Sequence, residues 1–329
     1  MKKIVKTGVA ALCLASISLL TACSSSSTAS DGISAGWYKD TSLVSVISET
    51  YEQLQYEVKF LENSGKNKNY SVSYTPGSYT VTLKNVNYEG EAAYELTSTL
   101  EISGVYTVNG ETKDFSDFVE SVCYFRPAAK MLSPMYSKKT VKSTSPIAEE
   151  PSSLAEAVAS YDYEVTCDYN ADGSRVTVAY LDNIDESKNA TKEYKISAGS
   201  YFLLDNEELL FAIRGMDLSG SHSVYVFNPY THVRDTIEIS PSTSAASKYS
   251  FIDQDAGETE ATEHEIPVHT VVFGISSSTL TGTYQAAIYA NAIDGKNVYR
   301  NVMLYLENPI AYHLGSLTYT LKSANFTDK

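Results

Sequence analysis

The chain has 329 residues, 43% of them apolar and 20% charged, and carries 26 tyrosines. That is the make-up of a folded protein rather than a disordered one, and the length suits two domains or one large all-β body. A formal net charge of −15 argues against a nucleic-acid partner, because a phosphate backbone needs a basic face. No apolar run reaches the ~20 residues of a membrane-spanning helix.

The N-terminus carries the strongest signal. Lys2, Lys3 and Lys6 precede an uncharged stretch that lasts until Asp31. Within it, Gly8 to Ala22 is apolar but too short to span a bilayer as a helix. A basic start, a short apolar core and small residues at its end have the form of a secretory signal. The stretch closes on Leu20-Thr21-Ala22-Cys23, which resembles the lipobox of bacterial lipoprotein signal peptides. The resemblance covers only the first 23 residues. It implies that residues 1–22 are a signal peptide, that the Cys23 sulfur receives a diacylglyceryl group, and that cleavage occurs before Cys23. The mature chain would then sit in the cell envelope, lipid-anchored on the extracytoplasmic face of a bacterial membrane. Two or three acyl chains hold a protein there stably where one does not. Residues 23–36 open with Ser24 to Ser27 and read as a Ser-rich tether. An acidic body is repelled by anionic headgroups, so the expected membrane partner is reached through lipidated Cys23 alone.

From about Tyr56 the apolar residues recur with period two, the signature of strands with one buried face. Tyr70-Val72-Tyr74, Tyr79-Val81-Leu83, Tyr161 to Tyr169, Val176 to Tyr180 and Leu317-Tyr319-Leu321 all alternate this way. Asn109-Gly110 and Asp294-Gly295 sit between such runs, where tight hairpin turns belong. The predicted fold is mainly β: antiparallel sandwich or half-barrel units with short capped helices. A β-rich domain over 37–150 and a second over 151–329 are expected, divided in the Ser- and Lys-rich stretch 137–153. The polar stretch 240–265 reads as a loop.

Two helices are predicted within the strands. Phe115, Phe118, Val119 and Val122 fall on one helical face, as do Leu209, Leu210 and Ile213. Asp205 to Glu208 reads as a capping box and Gly215 as a C-terminal stop. The segments Asp117–Arg126 and Asp205–Arg214 share Asp, Glu and Arg at equal offsets, and Leu43 and Leu154 each begin a short helix ahead of a strand. This order suggests an internal duplication. Arg126 and Arg214 are expected to be helix-end cations rather than ligand clamps.

Four cysteines are present. Cys13 leaves with the signal and Cys23 is the lipid acceptor, which leaves Cys123 and Cys167. Outside the cytoplasm these two could be disulfide-bonded, or they could be two buried thiols. Asp168-Tyr169-Asn170-Ala171-Asp172-Gly173 matches the start of a calcium loop, but Ala179 stands where the bidentate carboxylate belongs. A polar hairpin turn is the better reading. His264 and His269 are an odd number of residues apart, so on a strand they face opposite ways. No metal or cofactor is expected, no nucleophile motif or phosphate loop is present, and an enzyme is disfavoured. The expected function is a non-enzymatic binding or envelope-interaction module with a protein, glycan or lipid partner. The alternative is a periplasmic-type carrier of lipid or lipoprotein, which requires an apolar cavity of roughly 300 Å3 or more.

Overall fold

A computed structural model describes residues 51–62, 69–126, 133–196, 203–276, 281–291 and 297–326. The signal peptide, Cys23, the tether, the expected helix at Leu43 and the Asp294-Gly295 turn lie outside the described residues.

The described residues form sixteen strands: β1 (Tyr51–Leu61), β2 (Tyr70–Tyr74), β3 (Gly77–Tyr88), β4 (Glu91–Val108), β5 (Glu111–Phe125), β6 (Pro134–Pro146), β7 (Val158–Tyr169), β8 (Arg175–Asp182), β9 (Ala190–Lys195), β10 (Leu203–Asp205), β11 (His222–Asn228), β12 (Val233–Asp253), β13 (Thr262–Ser276), β14 (Thr281–Ala290), β15 (Met303–Ile310) and β16 (Gly315–Asn325). They form one sheet in the order β10-β11-β12-β13-β14-β15-β16-β1-β3-β4-β5-β6-β7-β8-β9, with β2 paired to β4. Pairing is antiparallel except for β10 with β11 and a two-residue contact of β12 with β16. The described strands thus begin mid-sheet with β1, run outward to β9, restart at the opposite edge with β10 and return to close against β1.

The alternation explains the strands. Leu54, Tyr56 and Val58 of β1, and Tyr163, Val165, Cys167 and Tyr169 of β7, point to one buried face, with more exposed residues between them. Each fully buried Val, Leu or Phe contributes about 1.5–3 kcal/mol. The Asn109-Gly110 turn joins β4 to β5 with φ of 51° and 89°, the paired positive values of a type I′ hairpin. Glu89-Gly90 repeats this geometry between β3 and β4.

A short segment fills the interior. It comprises β10, helix α2 (Leu209–Ala212), preceded in the chain by the one-turn helix α1 (Leu154–Ala157), and a 3-10 turn at Ile213–Gly215. Leu204, Leu209, Ala212 and Ile213 are wholly buried. This plug touches β5 through Cys123, β6 through Ser137, β7 through Tyr169, β1 through Glu52 and β14 through Tyr289. One short segment reaches both arms of the strand order because the sheet curls round it. At the seam between the arms, Tyr194 of β9 stacks on His232 at 4.6 Å and meets Phe227 of β11 at 6.3 Å. Tyr169 and Phe227 pack edge to face.

Several expectations are corrected. The segment Phe115–Phe125 is strand β5, not a helix. In strand phase its buried residues are Phe115, Asp117, Val119, Ser121, Cys123 and Phe125, and the two polar members hid the alternation. They are tolerated because Thr144 N–H donates to Asp117 and Ser121 pairs with Ser98. The helix pair that suggested a duplication is therefore absent: Asp117–Phe125 is strand, with Arg126 just past its end, and Asp205–Arg214 is plug. Residues 240–265 are mostly the β12–β13 hairpin rather than a loop. The 137–153 stretch is largely β6, and strands from both sides of residue 150 share the one sheet and one main core.

Candidate functional site

Period two on β1 turns Glu52, Leu54 and Tyr56 inward, and the pairing places Leu54 beside Val81 and Tyr56 beside Tyr79 of β3. Leu96, Ser98 and Leu100 of β4 continue this wall, and Val119 of β5 extends it. Tyr289, Met303, Leu306 and Tyr319 close it from β14, β15 and β16. Between this wall and the plug residues Asn206, Glu207, Leu210, Phe211 and Arg214 lies a cavity of about 100 Å3. Its lining is mostly apolar; Ser98 and Asn308 are polar residues of the wall, and Glu52, Arg214 and Asn301 make one end polar.

The polar end is held by Arg214. Its Nη2 donates to Glu52 Oε2 at 2.9 Å and to the Val298 carbonyl at 2.7 Å, and Nη1 donates to the Arg300 carbonyl. Both members of the ion pair are buried. Burial pushes the Glu52 carboxyl above its ordinary pKa, and the Arg214 charge opposes the rise. Asn301 Nδ2 donates to the carbonyls of Ile213 and Met216, so the 300–301 segment grips the end of the plug. Arg214 is neither a dipole-facing surface cation nor a ligand clamp: it pins the plug to β1. Arg126, its counterpart in the suggested repeat, makes an ion pair with Glu91.

A second polar cluster anchors the other end of the plug. Ser137 Oγ and the Tyr169 hydroxyl donate to Asp205 Oδ2 at 2.7 and 2.5 Å. Lys139 Nζ lies 3.1 Å from both Glu207 carboxylate oxygens. Glu207 N–H donates to Asp205 Oδ1, and Asp205 N–H donates to Glu208 Oε2; these bonds close the turn before α2, whose own N-cap is Glu208 without a side-chain cap bond, so the expected capping box at Asp205 is not formed. Burial, then the neighbouring Glu207 charge, pushes Asp205 up to about 6. Burial also raises Glu208 and the thiols of Cys123 and Cys167.

The two cysteines are unbridged and buried. Cys123 and Cys167 both pair with Ser137 of the intervening strand β6. Two strand spacings separate them by about 9–10 Å, beyond the ~7 Å limit between Cα atoms for a disulfide. The disulfide alternative is thus corrected to buried thiols, with Cys123 Sγ donating to Glu208 at 3.7 Å. Asp168 to Gly173 ends β7 and enters a hairpin turn, where Asn170 accepts from the Arg175 N–H and Asp172 from the Ser174 N–H. His264 stacks on Phe251, and His222 Nε2 lies 2.6 Å from the Asp217 carbonyl.

Sequence reasoning missed Glu52. The signal was available: Glu52, Leu54, Tyr56 and Val58 share one phase, so extending the Tyr56 strand upstream puts a carboxylate on the buried face. Nothing in the sequence linked it to Arg214, which lies 162 residues away.

No family model matches the chain, and no curated protein matches it. Among solved structures, the chain is similar to a beta-barrel-like protein of a domain of unknown function (DUF1849) from Brucella abortus. The identity is 8% and the TM-score 0.48, over 85% of this chain and 99% of that one.

Proposed function

We propose that this is a lipid-anchored extracytoplasmic binding protein, non-catalytic, whose binding site is the cavity between the β1–β3–β4 wall and the plug. The observation that carries the reading is that cavity: a mostly apolar chamber with the Glu52–Arg214 pair at one end. Apolar walls with a few placed polar groups are the usual form of a small-molecule site. The buried acidic residues support binding over catalysis, since Asp205, Glu207 and Glu208 are engaged in holding the plug. The lipobox Leu20-Thr21-Ala22-Cys23 supports the anchor. The alternative, a carrier of lipid or lipoprotein, is less well supported, because about 100 Å3 is below even the roughly 300 Å3 of a drug-sized site, so any ligand of this cavity is smaller than that and far smaller than a lipid.

Two measurements test the proposal. Replacing Cys23→Ser is expected to move the protein from the membrane fraction to the soluble one; a variant that stays with the membrane defeats the anchor. Native mass spectrometry of protein purified from its source is expected to show a small bound molecule that denaturation releases. Bound phospholipid would instead favour the carrier.

A further inference from the structure

On the outer face of the sheet, three tyrosines pack on one another. Strand alternation turns Tyr88 of β3, Tyr124 of β5 and Tyr136 of β6 outward, since Leu83, Cys123 and Ser137 on the same strands are buried on the inner face. Tyr124 stands opposite Tyr136 in the β5–β6 ladder. The Tyr88 ring stacks on Tyr124 at 4.2 Å and 19°, and its centroid lies 6.1 Å from that of Tyr136. All three are half-buried, so the rings hold one another in place and still meet solvent.

Most of the acidic groups around this stack are neutralised within the chain. Glu95 accepts from the Tyr124 hydroxyl and pairs with Lys84, Glu91 pairs with Arg126, and Glu164 pairs with Lys138. Glu89 and Asp168 are exposed and have no cationic partner among the described residues. Asp168, on β7, stands opposite Tyr136. Burial, and after it the charges of Glu89 and Asp168, raises the Tyr88 hydroxyl above its ordinary pKa, so both carboxylates lie near that ring.

Charge complementarity decides what fits such a face. An anionic partner is repelled by the two free carboxylates and by a chain of net charge −15. A neutral apolar partner would strip water from both carboxylates and return nothing for it. A guanidinium answers both features, because it pairs with carboxylates and stacks on aromatic faces. The chain makes this contact within itself, where the Arg234 guanidinium lies 3.6 Å over the Tyr225 ring. None of the cation–ring contacts among the described residues involves Tyr88, Tyr124 or Tyr136. We propose that this outer face of β3, β5 and β6 is a docking surface for an arginine-bearing basic segment of a partner protein, with the tyrosine stack receiving the guanidinium and Glu89 and Asp168 flanking it. The surface lies on the opposite side of the sheet from the cavity, and its test is independent of whether the cavity binds anything.

The purified full chain is titrated at low salt with a hexapeptide of alternating glycine and arginine, with the same peptide carrying neutral citrulline in place of arginine, and with chitohexaose, following the tyrosine ring signals by NMR. The arginine peptide is expected to bind and to shift the Tyr88 and Tyr136 signals, with the citrulline peptide much weaker. Tyr88→Leu keeps apolar bulk and removes the aromatic face, so it is expected to weaken binding about two- to fivefold. Asp168→Asn is expected to weaken it by about the same factor. Asp114→Asn makes the same change of charge near the other end of β5 and is expected to leave the affinity unchanged. Equal affinity in all three variants would mean diffuse attraction to an acidic chain and overturns the site. Citrulline binding as tightly as arginine, or no binding of the arginine peptide, overturns it as well. Chitohexaose shifting the ring signals where the arginine peptide does not would make the face a glycan platform instead. Should Tyr88→Leu prove unfolded by its urea midpoint, the comparison of Asp168→Asn with Asp114→Asn decides the matter, because both residues are exposed.

Discussion

Asp117 shows what one inward carboxylate does to a strand. It sits on the buried face of β5, 1% exposed, with Thr144 N–H donating to Oδ1 at 2.7 Å and no donor to Oδ2 among the described residues. Burial, only partly offset by that hydrogen bond, pushes its pKa up to about 7. An unfolded aspartate titrates near 3.9, so the folded state holds its proton longer than the unfolded chain does. The stability this provides is fully present below about pH 4 and is lost as pH rises toward 7. Asp205, raised to about 6 by the same cause, acts in the same direction. The protein is therefore expected to resist urea better at pH 5 than at pH 8. Asp117→Asn keeps the acceptor for Thr144 and removes the titration, so its urea midpoint should fall less between these pH values. A midpoint that rises with pH in the wild type would refute the buried-acid account.

At the scale of elements, the plug and the strands that grip it were unequally visible in the sequence. Local patterns survived into the structure. Tyr161 to Tyr169 alternates and is a strand, Asn109-Gly110 is a I′ turn, and Leu209 and Leu210 lie in α2 with Ile213 in the 3-10 turn after it. What failed was a segment whose two periods competed. β5 has polar Asp117 and Ser121 on its inner face and apolar Phe118 and Val122 on its outer one, so helical spacing fitted better than alternation. Only tertiary partners, Thr144 and Ser98, decide the matter. The cavity was illegible for the same reason, since Glu52 and Arg214 meet only once the sheet has curled. Arg214 should consequently be the plug's most sensitive residue. Arg214→Ala strands the Glu52 carboxylate and removes donors from two carbonyls, so a loss of about 3–5 kcal/mol is expected. The double replacement Glu52→Leu with Arg214→Met should recover much of it, because an apolar pair leaves no buried charge. Chemical denaturation of the three proteins measures this, and a double variant no better than the single one would place the cost in lost packing instead.

The whole molecule turns on where its ends go. β1 and β16 are sequence extremes of the described chain, yet they pair along their length, from Gln53 with Asn325 to Leu61 with Ser316. The strands before residue 150 and those after it meet again around the plug, which takes hydrogen bonds from β5, β6 and β7 on one side and ion-pairs with β1 beside carbonyls of the 298–300 segment on the other. Two domains divided near 150 would each bury a separate core and melt separately. Here one main core holds residues from Leu54 to Ala324, so opening either half exposes the apolar face of the other. A single cooperative transition is expected, in which backbone amides of β5 and β13 lose hydrogen-exchange protection at the same denaturant concentration. Pairing the extremes of so long a chain also demands costly loop closure before the contacts stabilise it, which sets refolding in the slow range of non-local β proteins, milliseconds to seconds or longer. Protection lost first on one side of residue 150, with the other side still closed, would restore the two-domain division and leave the plug as a linker between separate bodies.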